Sequence, residues 1–243
     1  MMYTNKRYML TGEEYDMEQG SNQKSLKSQQ TRAKIIDTYL DLIVDKKWDK
    51  ITVKEICEKA SITRGTFYQY FEGIYDLMEQ IETALFTEIK ARYAAAPPRA
   101  HVTSTKFFEE TFDCDPPYIL TSWFEFCKNN SKAMNVMLDR KHGDTYFVKR
   151  LKVIIEEQLH TMMDEDGLAN DAFRHHYVKI FIELHFLAAR SWMMENDSYS
   201  LSDDEVISLL NSMRVGISYL SYKRERDEED AEEQSAAAEC PEK

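Results

Sequence analysis

Residues 52 to 71 constrain this chain more than any other stretch. Thr52 is followed three residues later by Glu55, the signature of a capping box that starts a helix. Val53, Ile56 and Ala60 recur at helical spacing and give that helix one apolar face. Ser61, Ile62 and Thr63 form a tight turn, and Thr63 is placed to cap a second helix reaching about Phe71. Ile62, just before the cap, is placed to staple onto Phe67. Phe67 and Phe71 stand four apart and face inward, so Arg64, Thr66, Tyr68, Gln69 and Tyr70 are left outside. One cation, a hydroxyl, two phenols and an amide on one short helix suit base edges and phosphates. Gly65 in the first turn costs helix propensity, on the order of 1 kcal/mol against Ala, which close approach to DNA would offset.

These residues resemble the helix-turn-helix of TetR/AcrR-type transcriptional regulators. The matching positions are Thr52-Val53, Ile56-Cys57, Ala60, Ile62, Thr63, Gly65, Phe67-Tyr68 and Tyr70-Phe71, within a resemblance spanning residues 29 to 80. The family often opens the next helix with a phosphate-binding Lys, whereas this chain has Ile74 there. The resemblance implies an all-α fold, with a three-helix DNA-binding domain followed by a helical ligand-binding and dimerisation domain. It assigns DNA contact to Thr52, Thr63, Arg64, Gly65, Thr66, Tyr68, Gln69 and Tyr70, and phosphate contact in particular to Thr52 and Tyr70. The implied partners are a double-stranded DNA operator, a second copy of the chain and a small ligand.

The formal net charge of −12 is unexpected for a DNA binder, but it is unevenly spread. Residues 24 to 72 hold ten Lys/Arg against seven Asp/Glu, so the acidity lies elsewhere. A locally basic head on an acidic body is compatible with specific binding and discourages loose adhesion. Only 7 Gly and 5 Pro, with long runs of helical period, favour an all-α protein. No leader-like apolar run follows Met1, and no run is long enough to span a membrane. Cys57, Cys114, Cys127 and Cys240 show no CxxC spacing and read as free thiols of a cytoplasmic protein.

The chain divides by composition into a disordered extension over 1–24, a helix-turn-helix domain over 25–73, a helical body over 74–223 and an acidic disordered tail over 224–243. Ser25 or Ser28 would cap a first helix running to about Lys46, with Ile36, Tyr39, Leu40, Ile43 and Val44 as its apolar residues. Trp48 is expected to pack beneath this module. A helix over about 74 to 93 follows, then helices near 104–112, 117–128, 131–139, 144–164, 169–195 and 203–223. Ser202 with Glu205 is a second capping box.

Aromatic bulk in the body suits a pocket for an apolar ligand, with Phe108, Phe112, Trp123, Phe126, Phe147, Tyr177, Phe181 and His185 as candidate lining. Core packing is the plainer role of each aromatic taken singly. His175, His176, His185 and Glu183 do not make a metal motif, since His185 lies off the face shared by His176 and Glu183. No metal, cofactor or enzymatic activity is expected, because no catalytic grouping or phosphate loop is present. The expected function is a ligand-released, dimeric repressor. A regulator whose body answers to a protein partner is the alternative. Leu184, Leu187, Ala188, Leu209, Met213, Ile217 and Leu220 are the candidate dimer seam.

Overall fold

A computed structural model describes residues 12–97, 116–165, 169–194 and 201–238, and every regular element among them is helical. The expected helix over 104–112, the lining candidates Phe108 and Phe112, and Cys114 and Cys240 lie outside the described residues. The chain's contacts divide it into two units, one up to Ile81 and one from Glu82.

In the first unit, α1 spans Gly12–Ile43, a 3-10 turn spans Trp48–Lys50, α2 spans Val53–Ala60 and α3 spans Arg64–Tyr68. Helix α4, Ile74–Ala94, begins here and crosses into the second unit. Helix α1 starts well before the expected serine caps. Its buried face is also rotated from the expected one. Ile35, Tyr39, Leu40 and Ile43 are buried, Ile36 is only half-buried, and Val44 is 60% exposed. Ile35, Tyr39 and Ile43 lie four apart, which is the stripe α1 presents to its neighbours. Ile56, Cys57, Ala60, Phe67, Phe71, Leu77 and Met78 complete this small core. Trp48 meets Tyr75 edge-on at 5.5 Å between ring centroids.

The second unit continues with α5 (Tyr118–Asn129), α6 (Ser131–Met137), α7 (Thr145–Glu165), α8 (Ala172–Met194) and α9 (Asp203–Ala238). Helix α9 begins at the expected cap: Ser202 Oγ accepts from Glu205 N at 3.3 Å, and Glu205 accepts back from Ser202 N at 2.8 Å. It runs on through much of the stretch read as a solvated tail. Gly143 ends the connection from α6 to α7 for a steric reason. A Cβ there would lie 2.6 Å from three backbone carbonyl oxygens, those of Val136, Met137 and Asp139.

The body's core is aromatic. Phe86 stacks on Phe147 at 5.0 Å, Tyr177 on Phe181 at 5.1 Å, and Trp123 meets Phe186 at 5.2 Å. Arg174 is buried and holds α7 to α8, pairing with Asp164 at 2.7 Å and donating to the His160 carbonyl at 2.7 Å. No helix among the described residues is long and apolar enough to cross a membrane.

Candidate nucleic-acid interface

The site is built on three short-range devices. The first is the capping box of α2. Thr52 Oγ1 accepts from Glu55 N at 3.3 Å, and Glu55 Oε2 accepts from both Thr52 N and Thr52 Oγ1 at 2.7 Å. Lys46 Nζ holds the other carboxylate oxygen at 2.8 Å. That hydrogen bond, ahead of the two from Thr52, lowers the Glu55 pKa to about 2. The Thr52 hydroxyl proton is thus directed at Glu55, and a phosphate contact through it requires a change of partner.

The second device ends α2. Ser61 takes a left-handed conformation, φ 52°, while its N–H bonds Glu58 O at 3.3 Å and Ile62 N–H bonds Cys57 O at 3.0 Å. This is the Schellman pattern, with serine where glycine is commonest. The third is the Thr63 cap of α3, whose Oγ1 accepts from Thr66 N at 3.1 Å and lies 2.9 Å from Thr66 Oγ1.

Helix α3 is shorter than the sequence suggests. It closes at Tyr68, because Gln69 N and Tyr70 N bond three residues back, to Thr66 O and Phe67 O. Such bonds tighten the last turn. Tyr70 therefore lies beyond the helix, on the turn into α4, rather than on its outer face. Phe67 and Phe71 are buried and lie 5.6 Å apart. Arg64, Gly65 and Gln69 are exposed, Thr66 and Tyr70 are half-buried, and Tyr68 is 56% exposed. The structure thus brings Thr63, Arg64, Gly65, Thr66, Tyr68, Gln69 and Tyr70 onto one short segment, with Thr52 at the start of the preceding helix.

Gly65 has no internal explanation. A Cβ would stand 3.6 Å from Thr63 Oγ1, an ordinary contact, and the position is exposed. Two residues that sequence reasoning missed brace the far end of α3. The Gln80 amide donates to Tyr70 O at 3.3 Å and accepts from Arg32 at 2.8 Å, while the Arg32 guanidinium lies 5.5 Å from the centre of the Phe71 ring. Their separation of 48 residues carries no local signal.

In the body, Trp123, Phe126, Phe147, Phe181 and His185 are fully buried and Tyr177 nearly so. His185 Nδ1 lies 2.8 Å from Phe181 O, and burial lowers its pKa to about 4. Glu183 pairs with Lys152 instead of with a histidine. Among the described residues, no group of three or more His, Cys, Asp or Glu is placed to hold a metal.

Residues 35–81 match the family model described as bacterial regulatory proteins, tetR family. No curated protein sequence matches the chain. Solved structures with the same fold include a TetR transcriptional regulator from Streptococcus agalactiae. It is 17% identical, with a TM-score of 0.53 over 79% of this chain and 98% of that one. A tetR-family regulator from Streptomyces coelicolor is 18% identical, with a TM-score of 0.54 over 88% and 90%. The regulator FadR from Bacillus subtilis, solved with stearoyl-CoA, is 16% identical, with a TM-score of 0.50 over 74% and 97%. At these identities the likeness is one of fold. The matched family is one of transcriptional regulators, not of enzymes.

Proposed function

Since this chain is a transcriptional regulator of the tetR family, we propose that it acts as a dimeric repressor, released from its operator by a small ligand held in the body. The reading head covers about 25–73 and the ligand-binding and dimerising body about 74–223. The observation that carries the DNA-contact assignment is the capped segment Thr63 to Tyr70. It exposes Arg64, Tyr68 and Gln69 beside a glycine with no internal reason to be one. Arg64 reads bases, and Thr52 and Tyr70 hold phosphates.

A single reading head binds weakly, so two copies placed about 34–36 Å apart would meet successive major grooves. The dimer seam lies on α8 and α9, where Leu187, Leu209, Met213 and Leu220 are exposed apolar side chains of the single chain. Helix α4 belongs to both units and is the path by which the body biases the heads. A ligand that binds the non-spanning conformer more tightly lowers operator affinity by its differential affinity for the two states. The FadR structure with stearoyl-CoA supports ligand control on this fold. The dense burial of Trp123, Phe126, Phe147 and Phe181 favours the second reading, a body governed by a protein partner. Such a regulator works in the cytoplasm, beside its DNA.

Binding-site selection from random duplexes with the purified protein tests the reading. The expected result is a two-fold symmetric site with half-sites one helical turn, or a multiple, apart. A pool without sequence preference would refute it.

A further inference from the structure

Four buried polar atoms of the body have no hydrogen-bond partner: Tyr93 Oη on α4, Ser122 Oγ and Trp123 Nε1 on α5, and His185 Nε2 on α8. Buried polar atoms are ordinarily satisfied, so each such atom requires an occupant. Their carriers are linked through packed helices. Trp123 touches Phe186, the residue after His185, across α5 and α8. Tyr93 is electrostatically coupled to Cys127, which shares the Trp123 face of α5. His185 faces the Phe181 ring at 4.6 Å and is itself fully buried.

The chemistry of the four atoms is specific. His185 Nδ1 lies against a backbone carbonyl, which can only accept, so Nδ1 carries the proton. A neutral imidazole then has a bare lone pair on Nε2. Trp123 Nε1–H can only donate, and the Tyr93 and Ser122 hydroxyls can do either. None of the four carries a charge to pair with a carboxylate or an ammonium group. An occupant must donate to His185 and accept from Trp123 or Tyr93, and a hydroxyl group does both.

We propose that the body's ligand is an uncharged molecule bearing a hydroxyl, which donates to His185 Nε2 and accepts from Trp123 Nε1–H or the Tyr93 hydroxyl. This rests on the ligand-released reading above and narrows it from any apolar ligand to an alcohol or phenol.

Two matched sets of probes test it on the full-length protein by titration calorimetry: 1-naphthol against 1-methoxynaphthalene, and 1-octanol against methyl octyl ether and octanoate. The ethers keep the acceptor and lose the donor. At least one alcohol should bind about tenfold tighter than its ether, as expected when an unpaired buried acceptor is left behind. His185→Leu should erase that preference while leaving the melting temperature of the unliganded protein unchanged or higher. Trp123→Phe should weaken alcohol and ether together. Ethers binding as well as alcohols would assign the four atoms to internal water and overturn the inference, while leaving ligand release intact. Failure of both alcohols to bind would also overturn it. An alcohol that binds as expected without lowering operator affinity would instead refute ligand release and leave the site standing.

Discussion

Gly65 stands where alanine is the better helix former and where the fold has room for alanine. Gly65→Ala should therefore raise stability by up to about 1 kcal/mol and yet weaken DNA binding. Thermal melts and gel shifts on one preparation decide it, and unchanged affinity would remove the close-approach explanation. Ser61, held in the left-handed region one residue past α2, gives the complementary case. Glycine there should stabilise by about 1 kcal/mol and leave DNA affinity alone. The Glu55 carboxylate adds a pH dependence. Its pKa falls from 4.5 to about 2 on folding, so its contribution is complete above about pH 4.5 and is lost as pH falls through 2. Melts of wild type and Glu55→Gln should differ most near neutral pH and converge toward pH 2. Arg64→Ala should relax base preference, because a bidentate arginine–guanine pair discriminates by about 1–3 kcal/mol. Tyr70→Phe should weaken specific and scrambled DNA alike, and an identical selection logo for wild type and the arginine variant would move base reading elsewhere.

Helix α9 separates two roles along its length. Its first half carries Val206 and Leu210 into the body's core and leaves Leu209 and Met213 exposed at half-turn spacing from them. Beyond Arg226 the described side chains are polar, charged or small, and those whose exposure is given are open to solvent. Deleting residues 226 to 243 should then preserve the dimer, whereas Leu209→Glu should yield monomers by light scattering. A dimeric Leu209→Glu would place the seam on another face. Helix α3, by contrast, is too short to hold itself. Its position depends on Phe67 and Phe71 below and on the Gln80 bridge at its end.

At the scale of the whole molecule, function reduces to the linkage between body and reading heads. A ligand bound at one hundred times its Kd stabilises the bound form by about 2.7 kcal/mol. If it prefers the conformer that cannot span two grooves, the same occupancy lowers operator affinity. Melting temperature should rise and DNA binding should fall over one concentration range. A rise in melting temperature with unchanged DNA binding would uncouple the two. The charge distribution belongs to this scale too. The positive excess is confined to residues 24 to 72 of a chain whose net charge is −12, so the acidic remainder repels DNA and leaves affinity to the reading head.

What the sequence determined by itself was local. The capping boxes at Thr52–Glu55 and Ser202–Glu205 each close over three residues, and inward-facing Phe67 and Phe71 follow from one helical turn. Neither needs a distant partner, so residue type and spacing suffice. The all-helical fold and the DNA-binding module were legible for the same reason. Tertiary structure decided whatever depends on a partner far along the chain. It turned the buried face of α1 onto Ile35 and away from Val44, because neighbouring helices select one stripe among several that an apolar-rich helix offers. It placed Tyr70 past the end of α3, where residues from two other helices hold it. It also left His185 Nε2 buried and unpaired, a property set by the surroundings of the ring and invisible in the identity of the residue.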